Sequence, residues 1–340
     1  MFRFFFFSFG SIFGGKDQKK VSTMRRITKR VFVFFLWKKI FRYICIHNIY
    51  YFLKHENMIH SKKTVKTILH YCTNTRKFST AKPSNTIAYS TDKMGIIGLG
   101  LMGHGICQVA AQSNLHSEVI AYESSPEFLQ KGKERIESSL AKLVAREKIS
   151  QHDMDRVWNN IHFTTNADDL NQVDCIVEAI VENMDLKKDL YSTLGKKSKP
   201  STIFASNTSS LSITEMSLAS GRPEQFVGVH FFNPVQIMKL VEVIYTPYTD
   251  PLVFDACFKW AEDIGKVAVR CGDTPGFIVN RLLVPSLMQA MLMVDRNDAT
   301  VKDIDLSLKL GAGHPMGPLH LADYIGLDTC YFIVKGWMDK

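Results

Sequence analysis

The first 91 residues of this chain contain very few acidic residues. The whole chain has 42 Lys and Arg and 33 Asp and Glu, yet residues 1–91 hold 18 basic residues against only 2 acids. Residues 92–340 hold 24 basic residues against 31 acids. The net charge of +9 therefore comes from the N-terminal segment, and the remainder is acidic. An acidic body argues against a nucleic-acid-binding surface.

Paired cysteines are also lacking. The seven cysteines show no CxxC spacing, and their number is odd. A scattered set of this kind predicts reduced, mostly buried thiols, with neither a disulfide framework nor metal ligands. They are Cys45, Cys72, Cys107, Cys175, Cys257, Cys271 and Cys330.

A long uncharged apolar run is absent as well. Residues 31–53 are largely apolar, but Lys38, Lys39 and Arg42 interrupt them, whereas a membrane-spanning helix needs about 20 largely uncharged residues. We therefore expect no membrane span, with a signal or anchor as the alternative. Residues 1–57 are a doubtful part of the working protein, because we expect translation in the cell to begin at Met58.

Residues 58–91 have the composition of a mitochondrial transit peptide. They contain no Asp or Glu, several Ser and Thr, and six Lys and Arg. The residues around Arg76–Ser79 also resemble the Arg-x-Phe-Ser context in which such peptides are cleaved. We predict a leader over residues 1–91, for which an ordinary disordered tail is the alternative.

A glycine motif follows the first buried apolar run after the leader. The segment Gly98-Leu99-Gly100-Leu101-Met102-Gly103 lies between the run MGIIG and an apolar-periodic segment. In a dinucleotide-binding fold, the first glycine permits a tight turn, the second admits a pyrophosphate and the third lets the helix pack closely. The first unpaired N–H groups of that helix then face the phosphates.

An acidic residue ends the next predicted strand. Glu123 follows EVIAY and lies 20 residues beyond Gly103. A carboxylate there accepts hydrogen bonds from the ribose hydroxyls and repels the 2′-phosphate of NADP. Together with the glycine motif, this predicts an α/β domain of the Rossmann type, a doubly wound sheet, with NAD as the cofactor.

The rest of the body alternates strands with helices and then becomes mainly helical. The change near Cys271–Gly276 predicts an NAD-binding domain over residues 92–272 and a smaller all-helical domain over residues 273–340. The predicted strands are 94–98, 118–122, 174–180, 202–206, 226–232, 239–244 and 266–270. The predicted helices of the second domain are 275–295, 300–310 and 318–336.

Two polar residues occur in apolar strands near the middle of the chain. The segment HFFNPV begins at His230, and Glu242 lies twelve residues later on the next apolar run. One interpretation is a structural polar pair at a strand end. The other is a general base and the carboxylate that orients it. These two residues by themselves leave both interpretations open.

Six ordered segments resemble the L-3-hydroxyacyl-CoA dehydrogenase family, from about Lys93 to Trp337. They are GLGLMGHGICQVAA, VEAIVENMDLKKDL, FASNTSSLSIT, HFFNPVQIMKLVEVI, DTPGFIVNRLLVP and LGAGHPMGPLHLADYIGLDT. The resemblance implies NAD-dependent oxidation of a (3S)-3-hydroxyacyl-CoA to the 3-oxoacyl-CoA, a step of fatty-acid β-oxidation. It also implies a homodimer in the mitochondrial matrix.

The resemblance assigns roles to individual residues. It implies that His230 is the general base and Glu242 its orienting partner, and that Ser209 lies near both the substrate hydroxyl and the nicotinamide. It implies that Asn280, in the second turn of a helix opened by Asp273-Thr274-Pro275, bonds the substrate oxygen. Further residues match positions that bind small molecules: Glu182 and Lys187 for the cofactor, and Ser139, Arg146 and Ser209 for coenzyme A.

Several positions depart from the family pattern. Residue 123 is Glu where Asp is usual, and His104 and His320 replace a small residue and Glu, respectively. The sequence stops at GWMDK, short of helices that help to build the family dimer and of a tail that carries a lysine near the cofactor. We expect a C-terminally truncated member, and a homodimer only if the C-terminus is complete.

Two alternatives share parts of this pattern. A β-hydroxyacid dehydrogenase of the 6-phosphogluconate type has a similar GLGxMG turn, but HFFNP followed by VEVI disfavours it. A catalytically inactive structural homologue, like λ-crystallin, is the second alternative. The intact set Ser209, His230, Glu242 and Asn280 disfavours this loss of chemistry.

Overall fold

The computed structural model describes residues 89–338. The predictions for residues 1–88 lie outside this range. At the start of the described range, Tyr89 packs against the core and the carbonyl of Thr91 accepts a hydrogen bond from His116 Nδ1 at 2.6 Å. No helix among residues 89–338 is long and apolar enough to cross a membrane.

An eight-stranded sheet forms the centre of this part of the chain. Its order is β3-β2-β1-β4-β5-β6-β7-β8, and every neighbouring pair is parallel except β6 and β7. The strands are β1 (Lys93–Ile97), β2 (Glu118–Tyr122), β3 (Ile161–Thr164), β4 (Cys175–Glu178), β5 (Ile203–Ser206), β6 (Phe226–Phe231), β7 (Leu240–Tyr245) and β8 (Val267–Gly272). The order reverses between β1 and β4, where such sheets open a crevice at their carboxyl ends.

Helices cover both faces of the sheet, as buried parallel strands require. One face packs against α1 (Gly103–Gln112), α2 (Pro126–Ala145), α3 (Gln151–Asn159) and α6 (Pro251–Asp263). The other packs against α4 (Met184–Lys197) and α5 (Ile213–Ala219). All residues of β4, β5 and β6 are buried. The predicted doubly wound α/β sheet is confirmed.

Four helices follow β8. They are α7 (Val279–Asp295), α8 (Val301–Gly311), α9 (Pro318–Ile325) and α10 (Leu327–Met338). Leu287, Ala322 and Cys330 form a small core of their own among them. A smaller helical part therefore follows the sheet, as predicted.

The structure differs from the prediction in three places. Strand β3 and helix α3 were not predicted as separate elements. The predicted helix 318–336 is interrupted at Gly326, whose φ of 101° does not continue a helix. Helix α7 begins at Val279 and not at 275, because Gly276 and Phe277 have φ values of 80° and 52°.

The prediction of buried thiols is confirmed for the described residues. All five cysteines in this range are free and buried. Cys45 and Cys72 lie outside it.

Candidate active site

The glycine turn lies between β1 and α1, at the crevice of the sheet. Gly98 has a φ of 88°, which favours glycine, and a Cβ on Gly103 would come within 1.7 Å of the Gly98 carbonyl oxygen. A Cβ on Gly100 would meet nothing within 4 Å. Two of the glycines are therefore required by the protein itself, whereas Gly100 leaves open space beside the backbone, as a pyrophosphate needs.

The other residues of the turn present both buried and accessible surfaces. Leu99 is fully buried, whereas Leu101 is 65% exposed and Met102 is half-buried. The first turn of α1 contains no acidic residue, and the position before it makes no side-chain cap. Its terminal N–H groups and positive dipole end therefore suit an anionic ligand. These features fit the cofactor predicted from the sequence.

Glu123 lies at the end of β2, beside the glycine turn. Its carboxylate accepts hydrogen bonds from the amide of Leu99 at 3.0 Å and from the amide of Ser124 at 3.0 Å. The longer side chain, compared with Asp, thus reaches back to the turn itself. This carboxylate is the one that the sequence predicts to bind the ribose.

Two basic side chains attach to the carbonyl groups of the same turn. His104 Nδ1 lies 2.7 Å from the carbonyl oxygen of Gly100, and Arg135 on α2 donates to the carbonyl of Leu99 at 3.3 Å. Burial lowers the pKa of His104, and the charge of Arg135 lowers this pKa further, against the opposing effect of the Gly100 bond. His104 thus folds onto the turn that it follows.

His230 and Glu242 face each other across the only antiparallel pair of the described sheet. They are direct register partners on β6 and β7, and Nδ1 of His230 lies 2.7 Å from Oε2 of Glu242. Both side chains are almost fully buried, at 5% and 0% exposure. The rings of Phe232 and Phe277 flank the imidazole, with centroid distances of 4.5 and 5.5 Å.

The second oxygen of the same carboxylate binds the start of α7. Oε1 of Glu242 accepts hydrogen bonds from the amides of Ile278 at 3.0 Å and Val279 at 2.9 Å. With both oxygens of Glu242 accepting, Nδ1 of His230 is the donor, and Nε2 carries the free lone pair. The imidazole is thus held in the tautomer that a general base needs.

Asn280 and Ser209 are brought together by the same helix. Asn280 lies in the first turn of α7, and its Nδ2 atom donates to the Ser209 carbonyl at 3.5 Å. Asp273 does not open this helix, which corrects the prediction. Its carboxylate accepts hydrogen bonds at the start of α5 instead, from Ser212 Oγ at 2.9 Å and the Thr214 amide at 2.8 Å.

Glu182 holds the loop that carries Ser209. Its Oε1 atom accepts hydrogen bonds from Thr208 Oγ1 at 2.5 Å and from the amides of Ser209 at 2.9 Å and Ser210 at 3.2 Å. Its other oxygen lies 3.4 Å from Nζ of Lys187. Glu182 therefore contacts the main chain of Ser209 directly, and Lys187 is linked to Ser209 through Glu182.

Glu178 also belongs to this group, and sequence reasoning missed it. It is fully buried at the carboxyl end of β4 and binds Lys187 Nζ at 2.5 Å. The sequence did contain a signal, because a carboxylate ends the apolar strand DCIVE at the edge where the crevice opens.

Two of the three predicted coenzyme A residues, Ser139 and Arg146, belong to α2 and its C-terminal cap. Ser139 is half-buried, and Arg146 is exposed at the C-terminal end of the helix. Among the hydrogen bonds of the described residues, none joins either side chain to the group around His230.

The fold and the site define a dinucleotide-binding oxidoreductase. A glycine turn at the switch point, an acid at the end of β2 and a buried His–Glu pair at neighbouring strands are the parts that such an enzyme needs. Two family models match the chain: "3-hydroxyacyl-CoA dehydrogenase, NAD binding domain" over residues 93–274 and "3-hydroxyacyl-CoA dehydrogenase, C-terminal domain" over residues 276–340. The chain belongs to the 3-hydroxyacyl-CoA dehydrogenase family.

Individual relatives agree with this assignment. The human mitochondrial hydroxyacyl-coenzyme A dehydrogenase is 46% identical over a 276-residue alignment that covers 77% of this chain and 87% of that protein. A probable 3-hydroxybutyryl-CoA dehydrogenase of Deinococcus radiodurans is 48% identical over 243 residues, which cover 72% of this chain and 86% of that protein.

A solved structure shows the same similarity. The (S)-3-hydroxybutyryl-CoA dehydrogenase of Ralstonia eutropha is 38% identical with a TM-score of 0.71, covering 73% of this chain and 87% of that one. The predicted enzyme class, an NAD-dependent 3-hydroxyacyl-CoA dehydrogenase, is confirmed by these matches.

Proposed function

We propose that His230 is the general base of this dehydrogenase and that Glu242 is its positioning partner. The single observation that carries the proposal is the buried 2.7 Å contact between Nδ1 and the carboxylate. Because Nδ1 is held, Nε2 is the atom that takes the proton from the substrate hydroxyl. The charge that develops on the imidazole is then stabilised by an adjacent carboxylate in a site of low dielectric.

NAD, when bound, accepts the hydride from the carbon that carries this hydroxyl. Gly98–Gly103 and the start of α1 would hold its pyrophosphate, and Glu123 its adenosine ribose. The carboxylate of Glu123 disfavours a 2′-phosphate, which supports NAD over NADP. Glu182 and Lys187 would lie near the nicotinamide end, beside Ser209.

Ser209 and Asn280 would orient the substrate oxygen. Among the described hydrogen bonds, those of Ser209 are made by its main chain, from its amide to Glu182 and from Asn280 to its carbonyl. This arrangement holds the residue by its main chain and leaves its hydroxyl available to a ligand. The bond from Asn280 is long at 3.5 Å, so its amide group is available to a better acceptor such as the substrate oxygen.

The coenzyme A portion of the substrate would extend along α2. Ser139 supplies a hydroxyl, and Arg146 supplies an exposed guanidinium, which suits a phosphate group. We further propose that the enzyme acts in fatty-acid β-oxidation in the mitochondrial matrix, with a transit peptide within the predicted residues 58–91. Tyr89 and Thr91 contact the folded body, so this peptide would end before Tyr89. The name of the human relative supports the mitochondrial location.

We also propose a division into an NAD-binding domain at 92–272 and a helical domain at 273–340, which would form a homodimer if the C-terminus is complete. Support for the dimer comes from large apolar side chains that the helical part exposes, since such surfaces often mark protein interfaces. The most exposed are Leu282 at 71%, Leu310 at 77% and Tyr324 at 76%.

The test is the reduction of acetoacetyl-CoA by NADH, monitored through the loss of NADH absorbance. We expect turnover by the whole chain and a loss of at least about 100-fold in kcat for His230→Gln, the effect of removing a general base. NADH binding should remain. His152→Gln, at an exposed position on α3, is the matched control. A His230→Gln variant with nearly full activity would rule out this base.

A further inference from the structure

Glu178 is a buried carboxylate that the proposed reaction does not use. Its Oε1 atom accepts hydrogen bonds from the Ile180 amide at 2.7 Å and Lys187 Nζ at 2.5 Å. Its Oε2 atom accepts from Ser206 Oγ at 2.6 Å and Tyr191 OH at 3.4 Å. A buried charge is costly unless it is paired and hydrogen-bonded, and Glu178 is both.

The charged partner of Glu178 leads towards the active site. Lys187 is 1% exposed and lies between two carboxylates, Glu178 at 2.5 Å and Glu182 at 3.4 Å. Glu182 in turn binds the amides of Ser209 and Ser210. The negative charge of Glu178 therefore offsets the attraction of Lys187 to Glu182, whose other oxygen holds the serine loop.

A second connection reaches the same loop without Lys187. Ser206 Oγ donates to Glu178 and also accepts a hydrogen bond from the Thr208 amide at 3.3 Å. Both connections from Glu178 thus end on residues 206–210. This convergence distinguishes Glu178 from an ordinary buried ion pair.

We propose that Glu178 is a positioning residue that fixes Ser209 for hydride transfer through Lys187–Glu182 and through Ser206. This inference rests on the proposed function, because it gives Ser209 a place beside the substrate hydroxyl and the nicotinamide. Without the charge of Glu178, Lys187 has Glu182 as its remaining carboxylate partner and moves towards it. Glu182 then pairs with Lys187 and loses its hydrogen bonds with the loop amides, and Ser209 is displaced.

A double-mutant cycle with Ser209 separates positioning from general stability. Glu178→Gln keeps the shape of the side chain and removes its charge. We expect kcat/KM to fall about 10- to 100-fold, since a shift of about 1 Å in an active-site group costs this much. In the Ser209→Ala background the same change should cost less than about threefold, because the group being positioned is already absent.

A matched control is available at the same carboxylate. The Tyr191 hydroxyl lies 3.4 Å from Glu178 and closer, at 3.0 Å, to the Ala205 carbonyl, which is its main acceptor. Tyr191→Phe therefore removes little from Glu178 and leaves the charges in place, so kcat/KM should stay within about threefold of wild type. Equal losses from Glu178→Gln in the wild-type and Ser209→Ala backgrounds would overturn the proposal. If Glu178→Gln fails to fold, Ser206→Ala replaces it in the same cycle, and equal losses in the two backgrounds again overturn the proposal.

Failure of the proposed function would look different. A wild-type chain that binds NADH but does not reduce acetoacetyl-CoA refutes the proposed reaction. The cycle is then read from NADH affinity, measured by fluorescence. The positioning role is supported if Glu178→Gln weakens NADH binding in the wild-type background but not in the Ser209→Ala background. Equal weakening in both backgrounds refutes it.

Discussion

The carboxylate of Glu242 connects strand β7 to helix α7, because its Oε1 atom accepts a hydrogen bond from the Val279 amide at 2.9 Å. The same carboxylate contacts His230 through its other oxygen. The proposed base and the helix that carries Asn280 therefore share one anchoring group. A displacement of α7 would disturb both sides of the site.

Glu242→Gln should separate these two tasks. The amide oxygen can still accept from the α7 amides, but the NH₂ group then faces Nδ1 of His230 and selects the tautomer with its proton on Nε2. That tautomer cannot accept the substrate proton, so kcat should fall by about 10²- to 10⁴-fold. The steady-state rate of 3-hydroxybutyryl-CoA oxidation by NAD, measured well below the midpoint of thermal unfolding, checks this.

Glu242→Ala serves as the comparison. It removes the oxygen at the start of α7 as well, so it should lower the free energy of unfolding by about 1–2 kcal/mol more than the glutamine variant. Denaturant unfolding of the two variants measures the difference. Activity close to wild type in Glu242→Gln would contradict the tautomer argument.

The glycine turn predicts different effects for two alanine substitutions, one on stability and the other on NADH binding. Gly103→Ala places a methyl group 1.7 Å from the Gly98 carbonyl oxygen, so the turn must distort and the thermal midpoint should fall. Gly100→Ala meets nothing within 4 Å, so its stability should match wild type. The new methyl group nevertheless occupies the proposed pyrophosphate space, and NADH should bind at least about tenfold more weakly. Unchanged NADH affinity in Gly100→Ala would place the cofactor elsewhere.

Arg146 predicts a substrate effect that depends on salt. Arg146→Ala should raise KM for acetoacetyl-CoA about 3- to 10-fold at low ionic strength, because it removes the cation proposed to contact a phosphate group, and it should leave kcat unchanged. The increase in KM should shrink at high salt, since exposed charge interactions are screened by salt. Lys148→Ala removes the same charge two residues away and should have a smaller effect. Equal changes in KM for both variants would indicate general electrostatic attraction instead of a phosphate contact.

His116 predicts a loss of stability in acid. Its Nδ1 atom donates to the Thr91 carbonyl, and its Nε2 atom accepts a hydrogen bond from Trp260 Nε1 at 3.2 Å. Burial lowers its pKa below the ordinary 6.5, against smaller opposing effects of Thr91 and Asp92. Below pH 6.5 the unfolded chain therefore binds more protons than the folded one, and the free energy of unfolding falls as the pH falls towards the folded pKa.

This dependence can be measured by urea unfolding between about pH 5 and pH 7. His116→Gln should flatten the slope over this range, since it removes the titrating group, although it also lowers the overall stability. His152→Gln controls for the loss of an exposed imidazole. A wild-type slope in His116→Gln would show that other groups cause the acid sensitivity.

Much of this site could be predicted from local sequence patterns. The glycine turn, Glu123 and the apolar strands depend on spacing within about 30 residues, which is the range that such patterns describe. The sequence also placed His230 and Glu242 on neighbouring strands. It could not give their face-to-face register, because register depends on which strands pair and in which direction.

The remaining features depend on contacts between distant segments. Asp273 precedes a proline and reads as a helix start, yet it binds α5, about 60 residues earlier in the chain. In the sequence, Glu178 is only the last residue of a strand. Its proposed positioning role depends on its contacts with Lys187 and Ser206, which the fold brings to it. Tertiary partners decide such cases, and a single sequence does not reveal them.

The antiparallel pairing of β6 with β7 has a consequence for how this enzyme can change over evolution. Side chains alternate between the faces of a strand, so a shift of one residue in the pairing would turn Glu242 away from His230. Single-residue insertions or deletions within either paired strand should therefore abolish activity. Length variation is tolerable only in the connecting loop, because its residues do not take part in the pairing that sets the register of the two strands.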